Sequence, residues 1–158
     1  MRVAPNIAIR RLRLLRRALQ THKRLPADVA NWFISALTRY EKEAASGLDL
    51  DRAFDLIPEP GNEAWWTVEA RHRRDDRIRE LREQCFPDLG VTEAAREIGK
   101  LAFAYQTTAW PFDRQRPEVD IADKRKALLR DALATGMPFP KERHLQTILR
   151  NETKAFVS

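Results

Sequence analysis

Eight cations and no carboxylate occupy the first 27 positions: Arg2, Arg10, Arg11, Arg13, Arg16, Arg17, Lys23 and Arg24. The 158-residue chain carries a net +6, so positions 28–158 together carry −2. Cations crowded in this way can neutralise phosphates and release their condensed counterions. Arg10, Arg13, Arg16, Arg17, Lys23 and Arg24 are therefore candidate contacts to DNA or RNA. Arg71, Arg74 and Arg77, in the run Arg71-His-Arg-Arg-Asp-Asp-Arg77, are candidate additions to the same surface. Carboxylates alternate with these arginines and would repel phosphate. The spacing equally predicts a solvated ladder in which Glu69–Arg73, Asp75–Arg79 and Arg79–Glu83 pair along a helix.

Catalytic and cofactor chemistry lacks its usual residue patterns. The five glycines, at 47, 61, 90, 99 and 136, are too dispersed to build a phosphate-cradling loop. His22, His72 and His144 lie in separate segments, with neither HExxH nor Cys/His ligand spacing. His72, Asp75 and Asp76 could share a helical face, but Arg71, Arg73 and Arg74 surround them and disfavour a cation. Cys85 is the only cysteine, which excludes an internal disulfide and agrees with a reducing compartment. It reads as a small residue on an apolar edge rather than a nucleophile. Glu59, Glu63 and Glu69 are close enough in sequence for acid–base work, with no sign of a pocket around them. The expectation is a non-enzymatic protein with no metal and no cofactor.

The elements that must position the arginines are helices. With 43% hydrophobic and 33% charged residues, the chain has the composition of a folded, highly charged protein. No uninterrupted apolar run reaches 18 residues, so no membrane span is expected. Strand patterns are missing, and the reading is an all-α single domain of six or seven helices. Residues 1–24 form a basic amphipathic helix, residues 25–150 a helical core domain, and residues 151–158 a frayed end.

Apolar residues recur at helical spacing through most of the chain. Val29, Trp32, Phe33, Ala36, Leu37 and Tyr40 form one stripe in a helix over Ala27–Ser46. A short helix is expected within Leu48–Ile57, and a long one begins near Glu63 to Trp66, with Ile78, Leu81 and Cys85 as its later apolar edge. Val91, Ala94, Ala95, Ile98, Leu101, Ala102 and Tyr105 make the cleanest stripe. Pro111 to Asp120 reads as a loop held by two prolines. A helix over Ile121–Thr135 buries Leu128, Leu129, Ala132 and Leu133, and Gly136 stops it. Met137 to Pro140 is an extended connector, and a last helix over Lys141–Arg150 buries Leu145, Ile148 and Leu149.

The first helix admits three uses. Ala8, Leu12, Leu15 and Leu19 fall on one side, with Arg10, Arg13, Arg16, Arg17 and Gln20 opposite. It could pack its leucines on the core and leave a solvated arginine face, or present those arginines to phosphate. It could also be a surface or targeting segment, although it has little serine and no cleavage pattern. The leucine face offers a rival role in homo-oligomerisation or in binding a protein partner, without nucleic acid.

Two resemblances bear on function. Thr92-Glu-Ala-Ala-Arg-Glu-Ile-Gly99 resembles the first helix of a helix-turn-helix unit, whose recognition helix would then extend to about Trp110. The stretch departs from that pattern at Lys100, where an aliphatic residue usually follows the glycine, and Pro111 would cut the recognition helix short. Since the stripe stays in phase through Leu101, Ala102 and Tyr105, one continuous helix from Val91 to Thr108 is favoured. Separately, the run Trp65-Trp66…Glu69-Ala70…Arg74-Asp75, with Tyr105…Trp110…Asp113-Arg114, resembles uncharacterised small proteins of bacterial prophages and mobile elements. That likeness implies a cytoplasmic bacterial protein with no established activity.

Overall fold

A computed structural model describes residues 4–58 and 60–151. Among them the chain is all-α, with eight α-helices, one 3₁₀ turn at Ala44–Ser46 and no strand. The helices are α1 (Pro5–Thr21), α2 (Ala27–Glu43), α3 (Leu50–Ala53), α4 (Trp65–Cys85), α5 (Val91–Thr108), α6 (Trp110–Asp113), α7 (Lys124–Ala134) and α8 (Glu142–Arg150). They divide into two compact units, with the boundary between Val68 and Glu69. The basic first helix packs in one unit with α2 and α3. The expected frayed end at 151–158 falls, beyond Asn151, outside the described residues.

In the first unit, Ala8 of α1 is fully buried against Trp32 and Ala36 of α2 and against Ala53 and Phe54. A side chain as small as alanine lets the two helices approach, and aromatic rings fill the space beyond. Trp32 meets Phe54 edge-on, with centroids 5.5 Å apart, and Phe33 lies 5.4 Å from the same ring. Short α3 survives because both its ends are served. The Asp49 carboxylate accepts from the Arg52 amide at 2.7 Å, and Arg39 of α2 donates to the Arg52 and Ala53 carbonyls and to Asp55 Oδ1. Asp55 adopts a left-handed conformation with φ of 55°, which closes the helix by turning the Leu56 amide back onto the Asp51 carbonyl at 2.7 Å.

In the second unit, α5 supplies the centre. Ala94, Ala95, Ile98, Ala102 and Tyr105 are buried, as their spacing requires. They pack with Ile78 and Leu81 of α4, Leu128, Leu129 and Leu133 of α7, and Leu145, Ile148 and Leu149 of α8. α5 is one unbroken helix through Gly99, and the helix-turn-helix alternative is excluded. Gly99 faces α8 at ordinary packing distance: a Cβ built there would sit 3.8 Å from Leu145 Cδ1.

Two boundaries differ from expectation for local reasons. Pro111 occupies the first turn of α6, where no backbone N–H is required, so the proline starts a short helix instead of holding a loop open. α7 begins at Lys124, not Ile121, because the Asp123 carboxylate accepts from the Arg125 and Lys126 amides at 3.0 and 3.4 Å.

Candidate nucleic-acid interface

Pro5 opens α1 at a position that suits its fixed φ, and His22 closes it in the left-handed region at φ 50°, with the Lys23 amide bonded to the Ala18 carbonyl at 3.1 Å. Between these ends the buried side is Ala8, with Leu12 and Leu15 half-covered. Leu19 is 68% exposed, so the leucine face expected from the sequence stops short of the last turn.

The arginines of α1 fall into two groups. Arg11 and Arg13 are drawn onto indole rings. The Arg11 guanidinium lies 5.6 Å from the Trp32 ring and 4.0 Å from Asp28 Oδ2, and that of Arg13 lies 5.9 Å from the Trp65 ring. Arg10, Arg16, Arg17, Lys23 and Arg24 are exposed. Arg16, Arg17, Lys23 and Arg24 form no ion pair with any described residue. Arg10, Arg13 and Arg17 follow one another at three- and four-residue spacing, which places them on one face. Arg16 flanks that face, and Lys23 and Arg24 continue past the helix end. Arg2 lies outside the described residues.

The arginines of α4 do not make the second phosphate-facing cluster expected of Arg71, Arg74 and Arg77. Arg74 is only 4% exposed. Its Nε and Nη2 donate to Asp75 Oδ1 at 2.9 and 2.7 Å, and its Nη1 donates to the Pro138 carbonyl at 2.7 Å. The reason is register: positions 74, 78, 81 and 85 recur at helical spacing, so Arg74 stands in line with Ile78 and Leu81 on the buried edge. That spacing was present in the sequence and would have identified it. Arg77 is half-exposed and engaged by Glu80, with Asp131 Oδ2 3.9 Å from its Nε. Arg71 is partly buried.

The expected ladder is rearranged for the same reason. Glu69–Arg73 is present at 3.6 Å, but Asp75 is taken by Arg74. Arg79 turns to Asp76 at 2.7 Å and to the Ile148 carbonyl at 3.2 Å. These contacts tie α4 to the core of its own unit.

The residues weighed for other chemistry are dispersed. Among the described residues no three His, Cys, Asp or Glu side chains come together as metal ligands. Cys85 is half-buried against the core beside Phe86 and Leu89. Glu69 is paired with Arg73, and Glu59 lies outside the described residues. A groove of about 320 Å³ is lined by Gly90, Val91, Thr92, Glu93 and Arg96, away from all three histidines in sequence. No helix among the described residues is long and apolar enough to cross a membrane.

One polar contact carries a marked electrostatic shift. Tyr105 is buried on α5, and its hydroxyl donates to Asp113 Oδ2 of α6 at 2.6 Å. Burial first, and the adjacent carboxylate second, hold this phenol well above the usual tyrosine range. The bond fixes α6 on α5, and the Trp110 ring lies 6.5 Å from the Tyr105 ring. The sequence does not signal this pair, because Pro111 and Pro117 mark the stretch that carries Asp113 as a loop.

No known protein family, curated protein or solved structure matches this chain.

Proposed function

We propose that this is a non-enzymatic protein that associates with nucleic acid through the arginine face of α1 and the turn that follows it. One observation carries the reading. Arg16, Arg17, Lys23 and Arg24 are exposed and meet no carboxylate among the described residues. Some of the chain's acids pair with arginines elsewhere, as at Arg39–Asp55 and Arg74–Asp75. Unneutralised guanidiniums on a rigid helix are suited to phosphate contact, which is strong at low salt and weak at high salt. A bacterial cytoplasmic setting is part of the proposal.

The test is a salt titration of affinity for duplex DNA. Each phosphate contact contributes about −0.9 to the slope of log K against log salt, so Arg16→Ala/Arg17→Ala/Arg24→Ala should flatten it by about 2.7. An unchanged slope and affinity would remove α1 from the interface.

A second reading is favoured by the exposed apolar side chains on the same helix, Ile7, Leu14 and Leu19. On this reading α1 docks a protein partner or a second copy. Light scattering of the full chain and of a chain lacking residues 1–24 separates the two. A strictly monomeric full-length protein argues against self-association.

A further inference from the structure

We propose that Trp66 is a base-stacking site for single-stranded nucleic acid, set beside the arginine face of α1, where Arg16 and Arg17 take the adjoining phosphates. This rests on the reading of the protein as nucleic-acid-associating and narrows the partner to an unpaired strand.

Consecutive side chains on a helix diverge by about 100°, so the Trp65-Trp66 pair that opens α4 cannot bury both rings on one face. Trp65 is half-buried, and Trp66 is 57% exposed. Their rings meet edge-on with centroids 5.7 Å apart, so the outer indole is braced by the inner one. The first turn beneath them is closed by the Thr67 and Val68 amides, which donate to the Ala64 carbonyl at 3.0 and 3.2 Å.

The pair is also tied to α1. The Arg13 guanidinium lies 5.9 Å from the Trp65 ring, and α1 and residues 65–68 belong to the same compact unit. Arg16 and Arg17 stand three and four positions beyond Arg13, one helical turn along. A short strand stacked on Trp66 can therefore run past both guanidiniums.

The free charge at this place is positive. Arg16 and Arg17 are exposed and meet no carboxylate among the described residues. Arg10 and Arg13 have partners and are not counted. The carboxylates flanking the two segments are engaged: Glu69 lies 3.6 Å from Arg73, Asp28 lies 4.0 Å from Arg11, and Glu63 has a partner of its own. An exposed ring next to unpaired guanidiniums matches a partner with both π-faces and phosphates. A single strand offers both; a duplex keeps its π-faces inside the stack.

The test measures fluorescence anisotropy with a labelled 20-nucleotide oligothymidylate and with a 20-base-pair duplex, and tryptophan emission with the same oligonucleotides unlabelled. Stacking should quench the emission of Trp66, the most exposed of the four tryptophans. Trp66→Leu keeps an apolar side chain and removes the ring. It should weaken single-strand binding by about fivefold or more, with a smaller change for the duplex, and Trp66→Phe should recover most of the loss. Arg16→Ala/Arg17→Ala should flatten the single-strand salt slope by about 1.4.

Single-strand affinity retained in Trp66→Leu overturns the stacking site. So does oligothymidylate binding by the unaltered protein with no change in tryptophan emission. If duplex binding responds to the α1 arginines while Trp66→Leu is silent, the stacking site falls and the α1 proposal stands. If Trp66→Leu responds while the arginine variant is silent on both oligonucleotides, the α1 arginines leave the interface and the indole remains its contact. Emission that shifts to the blue on phosphatidylglycerol vesicles, with no response to either oligonucleotide, assigns the ring to a lipid surface and overturns both.

Discussion

Arg74→Met removes a buried guanidinium and keeps most of its apolar volume, so its effect isolates the polar contacts. The side chain makes three hydrogen bonds, two to Asp75 Oδ1 and one to the Pro138 carbonyl 64 residues away. Without it, the Asp75 carboxylate loses its partner in a site where its side chain is only 13% exposed, and the Pro138 carbonyl loses its donor. Breaking a buried ion pair from one side costs about 3–5 kcal/mol, because the remaining charge is left desolvated. Water reaches part of Asp75, which puts the expected loss near the lower end, about 3 kcal/mol. For a chain of this size that is a fall in Tm of about 6–12 °C. Thermal and urea unfolding followed by far-UV circular dichroism measure it. Arg74→Lys should recover only part, since an ammonium cannot reproduce the planar fork that serves Asp75 and Pro138 together. A stability of Arg74→Met within about 0.5 kcal/mol of the unaltered protein would refute the reasoning, because that is the range of an ordinary surface substitution. The same variant should leave the salt slope of DNA binding unchanged, in contrast to the α1 arginines.

Gly99→Ala should stabilise the protein by up to about 1 kcal/mol, because the new Cβ meets Leu145 Cδ1 only at an ordinary 3.8 Å while the helix gains a better former. A loss of stability in urea unfolding would show that the α5–α8 crossing needs the glycine. The raised phenol of Tyr105 is neutral in the fold, so its contribution is fully present below the ordinary tyrosine value near 10 and is lost as pH climbs through the higher folded value. The stability difference between the unaltered protein and Tyr105→Phe should therefore be constant across neutral pH and shrink above about pH 10; a difference that grows with alkalinity would contradict the assignment.

Helical periodicity made most of this fold legible. The stripes of α2, α5, α7 and α8 bury the residues their spacing selects, because a long segment with one apolar face has few ways to hide it. The continuous α5 was readable for the same reason: its stripe stays in phase across Gly99. The arginine-rich, acid-free front of the chain was visible in composition alone. Which of those arginines meet aromatic rings was not: Arg11 and Arg13 lie over indoles contributed by Trp32 and Trp65, and Arg13 stays exposed while doing so.

The remainder depended on contacts between residues far apart in the chain. The register of Arg74 with Ile78 and Leu81 was readable in the sequence; that the connector before α8 offers the Pro138 carbonyl to it was not. Pro111 begins a helix because the first turn needs no N–H from it, and the Tyr105–Asp113 bond, eight residues apart, then holds that turn against α5. The amino-acid order determined which faces are apolar and where positive charge accumulates, through periodicity and residue type. Tertiary structure decided which charges are consumed by internal partners and which rings are left facing water, because desolvation and pairing depend on neighbours brought together only by folding.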